Sequence, residues 1–597
     1  MSRRPNNVAT YQGRSYTVMA ILVLLFTLLL LRVLTLQVFD GWLGEGFLRE
    51  QGDMRAVRTA ELPAYRGLIT DRRGEPLAVS TPVISLWANP ELLATSERLD
   101  ELSTALAIPR EELDDKLQRY GKHQFMYLRR HMIPDEARRV LALNISGVRA
   151  EREYRRFYPA GEVAGQLVGM TNMDGRGVAG LELAYDDWLR GHPGKKRYIK
   201  DLHGDAIRDI GVVKPVRPGR NLQLSIDLRL QHVQHRELSR AVQQSGAAAG
   251  VIVTIDSHSG EVLASASYPH FNPNNRAAVT MSETRNRAFT DVFEPGSTMK
   301  PLTMVAALES GRYSVDSIID THPGRIRVGR KVLRDPRDYG EITLGRVVEK
   351  SSQVGITKVA LDLGKDPIWN VFQRFGMGQP TSTGFPGESA GLLPQRQRWS
   401  AIEKVTLAFG YGMQTTPLQI ARAYAVFANG GILPELSLLR RDVSETPGQR
   451  VLDPGTARVV RQVLEAVTGD DATARRARVD GYAVGGKTGT VRKVAGGVYL
   501  DDQHVALFVG IAPIDAPRFV TVVVLDRPKG DDYGGGAVAA PLFASVAGET
   551  LRLLGVPPVL EGMEGGPAGE QPADHELEGD MNSELGLFAA APAELRP

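Results

Sequence analysis

A serine and a lysine three residues apart, Ser297 and Lys300, follow a Pro-Gly turn in the stretch EPGSTMKP. The next residues have the apolar spacing of a helix, which ends at Gly311. Residues three apart on a helix share a face, so the lysine amine can approach the serine hydroxyl. The positive end of the helix dipole favours an alkoxide, and a desolvated neutral amine can accept the serine proton. The pair therefore predicts an activated nucleophile, although an N-capping serine would have the same spacing.

Two later stretches supply candidate partners for this pair. EKSSQVG places Ser351 and Ser352 after a predicted helix, with Gln353 beside them. GGKTGTV lies in a segment rich in β-branched residues and contains Lys487, Thr488, Gly489 and Thr490. Because the three motifs occur in the order Ser-x-x-Lys, Ser-Ser-Gln and Lys-Thr-Gly, one shared site is a better interpretation than three unrelated stretches.

Each partner has a chemical role in such a site. Ser351 can relay a proton between Lys300 and a leaving amine. Lys487 adds a positive charge that keeps Lys300 deprotonated and attracts a carboxylate, which the two threonines of the same motif can hydrogen-bond. The backbone N–H groups of Ser297 and Thr490 can form an oxyanion hole.

Two other motif matches indicate different chemistry. GYAVGGKT, residues 481–488, has the phosphate-loop pattern, and GESAG, residues 387–391, has the pattern of a nucleophile elbow. A phosphate loop must open a helix, but TGTVRKV after Lys487 predicts a strand. The elbow lacks its strand and helix, because Pro386 precedes it and LLP follows it. Both alternatives are disfavoured. The eleven histidines show no zinc-ligand spacing, so no metal or other cofactor is expected.

The N-terminal part of the chain predicts a membrane anchor. SYTVMAILVLLFTLLLL, residues 15–31, contains no charge, and with VLTLQVF after Arg32 the apolar stretch is about 23 residues long, enough to cross a bilayer. A cleaved signal peptide is the alternative, but no small-x-small cleavage site follows. Arg3, Arg4 and Arg14 favour a cytoplasmic N-terminus, with the chain beyond residue 40 outside the cytoplasmic membrane.

The composition indicates more than one globular domain. The chain has 597 residues, more than one core usually holds, and it has no cysteine, which excludes disulfides, thiolate metal sites and a cysteine nucleophile. Residues 561–597 carry nine acids and one base and are rich in Gly and Pro, so this tail is predicted to be disordered. The remaining charge is scattered, and no nucleic-acid partner is expected.

Local patterns predict several elements. LDELSTALAI and REELDDKLQRYG have helical spacing, and LQHVQHRELSRAVQQSG predicts a helix that ends at Gly246. RPGRNLQLSID, residues 217–227, predicts a turn and an alternating strand, and AAAGVIVTIDSHSGEVLASAS, residues 247–267, predicts a β-hairpin. A second large domain is therefore expected to begin near residue 225 and to end near residue 555.

On these motifs the chain resembles the class B penicillin-binding proteins of the division-specific kind. The resemblance extends from the apolar segment to about residue 550 and includes RGLITDRRGEPLAVSTPV, GVAGLEL, EPGSTMKP, AFGYGMQTTPLQIARAY and YGGGAVAAPLF. It implies an α+β fold of the penicillin-binding and serine β-lactamase type, in which helices flank a five-stranded antiparallel sheet and the Ser-x-x-Lys helix lies behind the edge strand. The expected segments are a cytoplasmic N-terminus 1–15, a transmembrane helix 16–38, an elongated pedestal 39–224, a transpeptidase domain 225–555 and an acidic tail 556–597.

The resemblance also implies a catalytic cycle. Ser297 would attack the penultimate D-Ala carbonyl of a peptidoglycan stem peptide, release D-Ala and pass the acyl group to the amine of a neighbouring stem. β-Lactams would acylate the same serine, and Tyr411 and Gly412 would lie close to the cleft. The catalytic domain would lie in the periplasm, and the transmembrane helix would anchor it to the inner membrane. The implied protein partners are a polytopic glycan polymerase and other division proteins, reached through the transmembrane helix and the pedestal.

One residue departs from the family pattern. The middle motif usually ends in Asn, whereas this chain has Gln353, which keeps the amide but is one methylene longer. The hypothesis is an altered β-lactam affinity or a specialised paralogue of the main division enzyme. The alternative functions are a β-lactam hydrolase or D,D-carboxypeptidase, and a non-catalytic β-lactam sensor or division scaffold.

Overall fold

The computed structural model describes residues 8–38, 57–200, 206–275, 279–280, 282–441, 448–496 and 498–559. Its first element is helix α1 (Val8–Val38). Within the described ranges, α1 is the one helix long and apolar enough to cross a membrane, over Gly13–Leu36, and its apolar side chains are exposed. These 24 residues span about 36 Å, slightly more than a bilayer's hydrocarbon core, so α1 is consistent with a single-pass anchor. Of the predicted tail 556–597, residues 560–597 lie outside the described residues.

A β-rich unit precedes residue 225. Its strands are β1 (Val57–Leu62), β2 (Ile69–Thr70), β3 (Pro76–Ala88), β4 (Met126–Met132), β5 (Val148–Phe157), β6 (Met170–Thr171), β7 (Gly177–Ala179), β8 (Gly194–Lys200), β9 (Ala206–Lys214) and β10 (Leu222–Gln223). Its helices are α2 (Pro90–Leu93), α3 (Leu99–Leu106), α4 (Arg110–Tyr120), α5 (Pro134–Leu141), α6 (Gly165–Val168), α7 (Gly180–Ala184) and α8 (Asp186–Leu189), with a 3-10 turn at Gly161–Val163. Strands β1, β8 and β9 form one sheet, and β10, β2, β3 and β4 form another in which β5 also pairs with β3.

Two sequence predictions for this unit have different outcomes. The two predicted helices are confirmed as α3 and α4. The predicted strand within 217–227 is wrong in length, because only Leu222–Gln223 pairs with β2. Leu224 then bridges to Leu439, and the side chain of Asp227 caps the next helix, so the chain leaves the sheet after two residues.

The second unit contains the remaining elements. Its strands are β11 (Ala249–Asp256), β12 (Val262–Tyr268), β13 (Ile318–Asp320), β14 (Arg325–Val328), β15 (Lys331–Arg334), β16 (Glu341–Thr343), β17 (Ile432–Pro434), β18 (Gly448–Arg450), β19 (Gly485–Ala495), β20 (Val498–Ala512) and β21 (Phe519–Asp526). Its helices are α9 (Leu228–Ser245), α10 (Arg287–Thr290), α11 (Lys300–Glu309), α12 (Leu344–Glu349), α13 (Gln353–Leu363), α14 (Lys365–Arg374), α15 (Ala401–Thr406), α16 (Pro417–Ala428), α17 (Pro454–Ala466) and α18 (Ala540–Leu553). Shorter helical turns are the 3-10 segments Gly296–Met299, Leu407–Phe409 and Arg475–Ala477 and the π segment Gly535–Ala539.

A five-stranded antiparallel sheet lies at the centre of this unit, in the order β12-β11-β21-β20-β19. Side chains from α9 and α18, among them Leu238 and Phe543, pack in one apolar cluster with this sheet, and side chains of α16 belong to a second cluster. Because both faces are covered, β11 and β21 are almost continuously apolar rather than alternating. The α+β architecture, the predicted hairpin β11–β12 and the predicted helix α9, which ends at Gly246 with φ +59°, are confirmed.

Candidate active site

Ser297 lies in a 3-10 turn that leads directly into helix α11. The turn spans Gly296–Met299, and the α-helix begins at Lys300, with Pro301 in its first turn. Proline is accepted there because the first amide groups of a helix have no intrahelical partner. The serine therefore lies one turn before the regular α-helix. The sequence predicted it at the N-terminus of the α-helix itself.

Two glycines allow this turn to pack closely on the edge strand β19. Gly296 has φ +58°, and a Cβ at this position would lie 2.5 Å from Cγ2 of Val491. A Cβ at Gly489 would lie 2.6 Å from Cδ2 of Leu507 and 3.3 Å from the carbonyl oxygen of Pro295. A side chain at Gly296 would push the serine turn away from the strand, and a side chain at Gly489 would overlap Leu507 of β20 and crowd Pro295.

Lys300 is fully buried beside the middle motif. Its Nζ donates to Ser351 Oγ at 3.1 Å and to the Ser351 carbonyl oxygen. Burial lowers the pKa of Lys300 well below that of a free lysine, the charge of Lys487 lowers it further, and Asp335 acts in the opposite direction. Among the described residues, the hydrogen bonds of this amine go to Ser351 rather than to Ser297. The buried amine is thus linked to its predicted relay partner and is one helical turn from the serine.

Lys487 is a second fully buried lysine, and it lies on the edge strand β19. Burial lowers its pKa to about 7. Its Nζ lies 3.3 Å from the carbonyl oxygen of Thr488, whose side chain is almost fully buried. Thr490 is exposed on the same strand, and its Oγ1 accepts the amide N–H of Gly535 at 2.9 Å, so its hydroxyl hydrogen can still be donated to a ligand.

An aspartate that the sequence analysis missed organises the middle motif. Asp335 follows β15, and its carboxylate accepts Ser352 Oγ at 2.6 Å and the backbone amides of Gln353 and Val354 at 2.5 and 3.2 Å. Ser352 in turn caps α13 by accepting the amide of Gly355. Asp335 lies in RKVLRDPRDY, outside the three motifs and 16 residues before Ser351, and the only local signal is an Asp-Pro pair after a short strand.

Ser351 and Gln353 lie at the junction between α12 and α13. Ser351 has φ +58°, a conformation rare for a residue with a side chain, and it is held between the end of α12 and the capping serine. Gln353 is the first residue of α13 and is half-buried. The strained turn directs Ser351 Oγ to Lys300, while the glutamine occupies the start of the next helix.

A glutamate and two tyrosines form a polar cluster next to the serine turn. Glu294 accepts the amide of Gly412 at 2.7 Å and the hydroxyl of Tyr499 at 3.1 Å. Burial raises the pKa of Glu294, and these two hydrogen bonds partly offset the effect. The ring of Tyr411 is 6.1 Å from that of Tyr499, and Gly296 N–H donates to the Gly410 carbonyl oxygen at 3.2 Å. Tyr411 and Gly412 are therefore beside the serine turn; Glu294 and Tyr499 were not predicted.

The two competing motifs lie in unsuitable structures. Lys487 of the phosphate-loop match is inside strand β19, so no helix opens after it. Ser389 of the elbow match lies in an irregular segment between Arg374 and Ala401, and its amide donates to the carbonyl oxygen of Phe289. Neither segment has the local geometry that its motif requires.

Together these side chains have the types and positions that a nucleophile, a base and an anion site require. A neutral buried amine lies one turn from a serine hydroxyl and contacts a second hydroxyl. A second buried lysine and an exposed threonine lie on the adjacent strand. This arrangement suits acyl transfer from a substrate with a carboxylate.

Comparisons with known proteins agree with this arrangement. The protein-family model of the penicillin binding protein transpeptidase domain matches residues 250–548. The family model of the penicillin-binding protein dimerisation domain matches residues 61–224. The probable peptidoglycan D,D-transpeptidase PbpC of Pseudomonas aeruginosa is 42% identical over 528 residues, 88% of this chain and 93% of that protein. Peptidoglycan D,D-transpeptidase FtsI of Escherichia coli is 40% identical over 543 residues, 90% of this chain and 91% of that protein.

A solved structure extends the similarity to the fold. Penicillin binding protein 3 of Mycobacterium tuberculosis, complexed with aztreonam, has a TM-score of 0.65 and 28% identity, and the match covers 84% of this chain and 98% of that one. The match includes both the β-rich unit and the unit with the central sheet. With its matching dimerisation and transpeptidase domains, the chain belongs to the penicillin-binding protein transpeptidase family.

Proposed function

We propose that this protein is a peptidoglycan D,D-transpeptidase that joins stem peptides through an acyl-enzyme on Ser297. The observation that carries the role of Ser297 is the fully buried Lys300, whose lowered pKa leaves a neutral base one turn from the serine and in contact with Ser351. The names of the curated relatives support the reaction class.

Acylation begins at the serine. Ser297 Oγ attacks the carbonyl carbon of the penultimate D-Ala while Lys300 Nζ takes its proton, and an Oγ–C bond forms. The oxyanion is stabilised by the backbone N–H groups of Ser297 and Thr490. The C–N bond to the terminal D-Ala then breaks, and the proton passes through Ser351 to the leaving amine.

Deacylation repeats these steps in reverse with a new amine. The amine of a neighbouring stem attacks the ester, its proton goes to the Lys300–Ser351 pair, and Ser297 recovers its hydrogen. The new C–N bond is the cross-link. During acylation, the substrate carboxylate is held by Lys487, Thr488 and Thr490, with Gly489 leaving room for the backbone to approach.

We further propose the cellular arrangement and the domain boundaries. Helix α1 would be a single-pass anchor in the inner membrane, with residues 1–15 in the cytoplasm because Arg3, Arg4 and Arg14 precede the apolar run. A pedestal at 39–224 would support a periplasmic transpeptidase domain at 225–555, and the matched ranges support this division. The FtsI relatives support a septal role, with a polytopic glycan polymerase and other division proteins as partners.

Fluorescent penicillin labelling of membranes tests the role of the serine. The native protein should be labelled, with the drug on Ser297 by mass spectrometry, and Ser297→Ala should not be labelled although it remains folded. A label on another residue would contradict the proposal. Rapid hydrolysis of the acyl-enzyme would instead indicate a hydrolase or carboxypeptidase, and a Ser297→Ala protein that still supported growth and septation would indicate a scaffold or sensor.

Gln353 is the position at which this chain can differ from its relatives in β-lactam affinity. Gln353→Asn shortens the side chain by one methylene while Asp335 still receives the backbone amide of residue 353. We expect the acylation rate to change for several β-lactams, measured for both proteins by stopped-flow labelling. Equal rates for all of them would show that residue 353 does not determine β-lactam affinity.

A further inference from the structure

A group of metal-ligating side chains lies between the β-rich unit and the unit with the central sheet, outside the catalytic cleft. Glu162 comes from the 3-10 turn Gly161–Val163, His235 from α9 and His270 from the segment after β12. One carboxylate oxygen and one ring nitrogen of each histidine lie within 4.8 Å of one another. The two units therefore both contribute to the group.

The side chains of this group already face one another. His270 Nε2 is 3.5 Å from Glu162 Oε2, and the ring centroids of His235 and His270 are 4.5 Å apart. His235 Nε2 is buried and has no hydrogen-bond partner in the part of the chain that the structure describes; the same holds for His270 Nδ1. Buried imidazole nitrogens usually have a partner, so one unpaired nitrogen on each of two adjoining rings points to a ligand.

Hydrogen bonds across the junction hold the three backbones in place. Gln231 Nε2, one turn before His235, donates to the carbonyl oxygens of Val163 and Ser265 at 2.8 Å each. The amide side chain of Asn274 accepts the N–H of Tyr158 at 3.0 Å and donates to its carbonyl oxygen at 2.9 Å. The ligand-bearing segments thus meet at a place that the fold defines, independently of any ion.

Two imidazoles and one carboxylate are a donor set suited to Zn²⁺. Tetrahedral Zn²⁺ with ligands at about 2.0–2.1 Å places its donors about 3.3–3.4 Å apart, close to the 3.5 Å between His270 Nε2 and Glu162 Oε2. The side chain of Glu162 is 50% exposed, so it can rotate toward the ion and leaves a fourth position open to water. We propose that Glu162, His235 and His270 bind Zn²⁺ and that the ion links the pedestal to the transpeptidase domain.

Sequence spacing could not indicate this site. Zinc motifs are recognised by ligands a few residues apart, whereas these three are on three separate elements. Only the packing of α9 against the 3-10 turn and the segment after β12 brings them together.

Metal titration of the full-length protein tests the proposal. The protein is purified in detergent without a histidine tag, treated with a chelator and titrated with Zn²⁺ alone, and bound metal and the unfolding temperature are measured. We expect one tightly bound ion and a higher unfolding temperature. Glu162→Gln, His235→Asn and His270→Asn should each weaken binding by about 100-fold or more, because losing a direct ligand costs at least as much as losing an outer-shell partner, about 10–100-fold.

His123→Asn is the matched control, because His123 is exposed and outside the group. It should bind Zn²⁺ like the native protein. Fluorescent penicillin labelling of every variant shows that the transpeptidase domain is folded, independently of metal binding. Absence of a tight Zn²⁺ equivalent, or equal affinity in the control and in Glu162→Gln, would overturn the proposal; Glu162 is exposed enough for its substitution to leave folding intact.

Discussion

Lys300 and Lys487 are two buried amines whose charges act on one another. Burial lowers the pKa of both, and the charge of Lys487 lowers the pKa of Lys300 further. With a pKa of about 7, Lys487 is charged below that pH and neutral above it. These lowered pKa values fit the proposed roles, with Lys300 as the base and Lys487 as the group that holds the anion.

The pH dependence of acylation follows from this division. The rate constant for a carboxylate-bearing β-lactam should rise with pH as Lys300 loses its proton and fall as pH increases through about 7, where Lys487 loses its charge. Lys487→Arg should move the alkaline limb to higher pH, because a guanidinium remains charged. The measurement is the second-order rate of acylation as a function of pH. An alkaline limb that stays in place in the arginine variant would assign it to another group.

Asp335 links the geometry of the middle motif to the electrostatics of the base. Its carboxylate raises the pKa of Lys300 and accepts three hydrogen bonds at the start of α13. Asp335→Asn should reduce acylation by about tenfold, since hydrogen bonds to a charged acceptor contribute about 1.5–3 kcal/mol each and only part of that is lost. The acid limb of the pH profile should also move to lower pH.

Asp338→Asn is the control for this prediction. Asp338 lies in the same loop but is exposed and pairs with His322. It should leave both the rate and the pH profile unchanged. If Asp335→Asn slowed acylation without moving the acid limb, its role would be positional only.

At the scale of elements, the serine turn and strand β19 form one packed unit. Gly296 approaches Val491, and Tyr424 OH of α16 donates to the carbonyl oxygen of Thr298 from the other side at 2.7 Å. The turn is therefore held between the edge strand and a buried helix, which keeps Ser297 in register with the Lys-Thr-Gly segment.

Gly296→Ala should disrupt this unit. The new Cβ would overlap Val491, and the alanine would have to adopt φ +58°. These two effects together cost about 2–4 kcal/mol. We expect a lower unfolding temperature and acylation slower by about 100-fold. Thermal unfolding and labelling kinetics measure the two effects.

Gly311→Ala separates strain from overlap. Gly311 has φ +68°, but nothing lies within 4 Å of an added Cβ. The Gly311→Ala variant should unfold at a lower temperature but keep the native rate of acylation. In the double variant Gly296→Ala/Val491→Ala, part of the acylation rate should return; if it does not, the overlap with the strand is not what disables the serine.

At the scale of the whole molecule, the β-rich unit has its own buried charge network. Glu182 is fully buried and pairs with Arg66 at 2.5 Å and with Arg156 at 2.6 Å. Arg72 crosses to the unit with the central sheet and pairs with Glu261 at 2.9 Å. The two units are thus joined by polar contacts, whereas the cleft hydrogen bonds described above involve no residue of α1.

Removal of residues 1–56 should therefore make the protein soluble without detergent while leaving its acylation rate unchanged. The truncated protein loses α1, whose apolar side chains are exposed, and should remain in solution without detergent. Its rate of labelling by fluorescent penicillin should stay within about twofold of the full-length protein, because the cleft groups lie between residues 294 and 536. Ultracentrifugation and labelling kinetics measure both properties. A tenfold slower rate would show that the anchor region contributes to the cleft.

The local patterns predicted elements and residue types well. Periodicity was sufficient for α3, α4, α9 and the hairpin β11–β12, because helix and strand periods depend on neighbours in sequence. It was insufficient for the strand in 217–227, since strand length depends on a partner that β2 supplies for only two residues. The motif types and their order were also enough to propose one shared site.

By itself, then, the sequence determined the apolar anchor segment, the main helices and strands, and the hydroxyl and amine groups of a candidate acyl-transfer site. Only the tertiary structure decided that Lys300 and Lys487 are fully buried, that Asp335 holds the middle motif, and that Gly296 must remain small. The reason is physical: period and residue type are local properties, whereas desolvation, close approach and the interaction of charges depend on segments that are far apart in the chain.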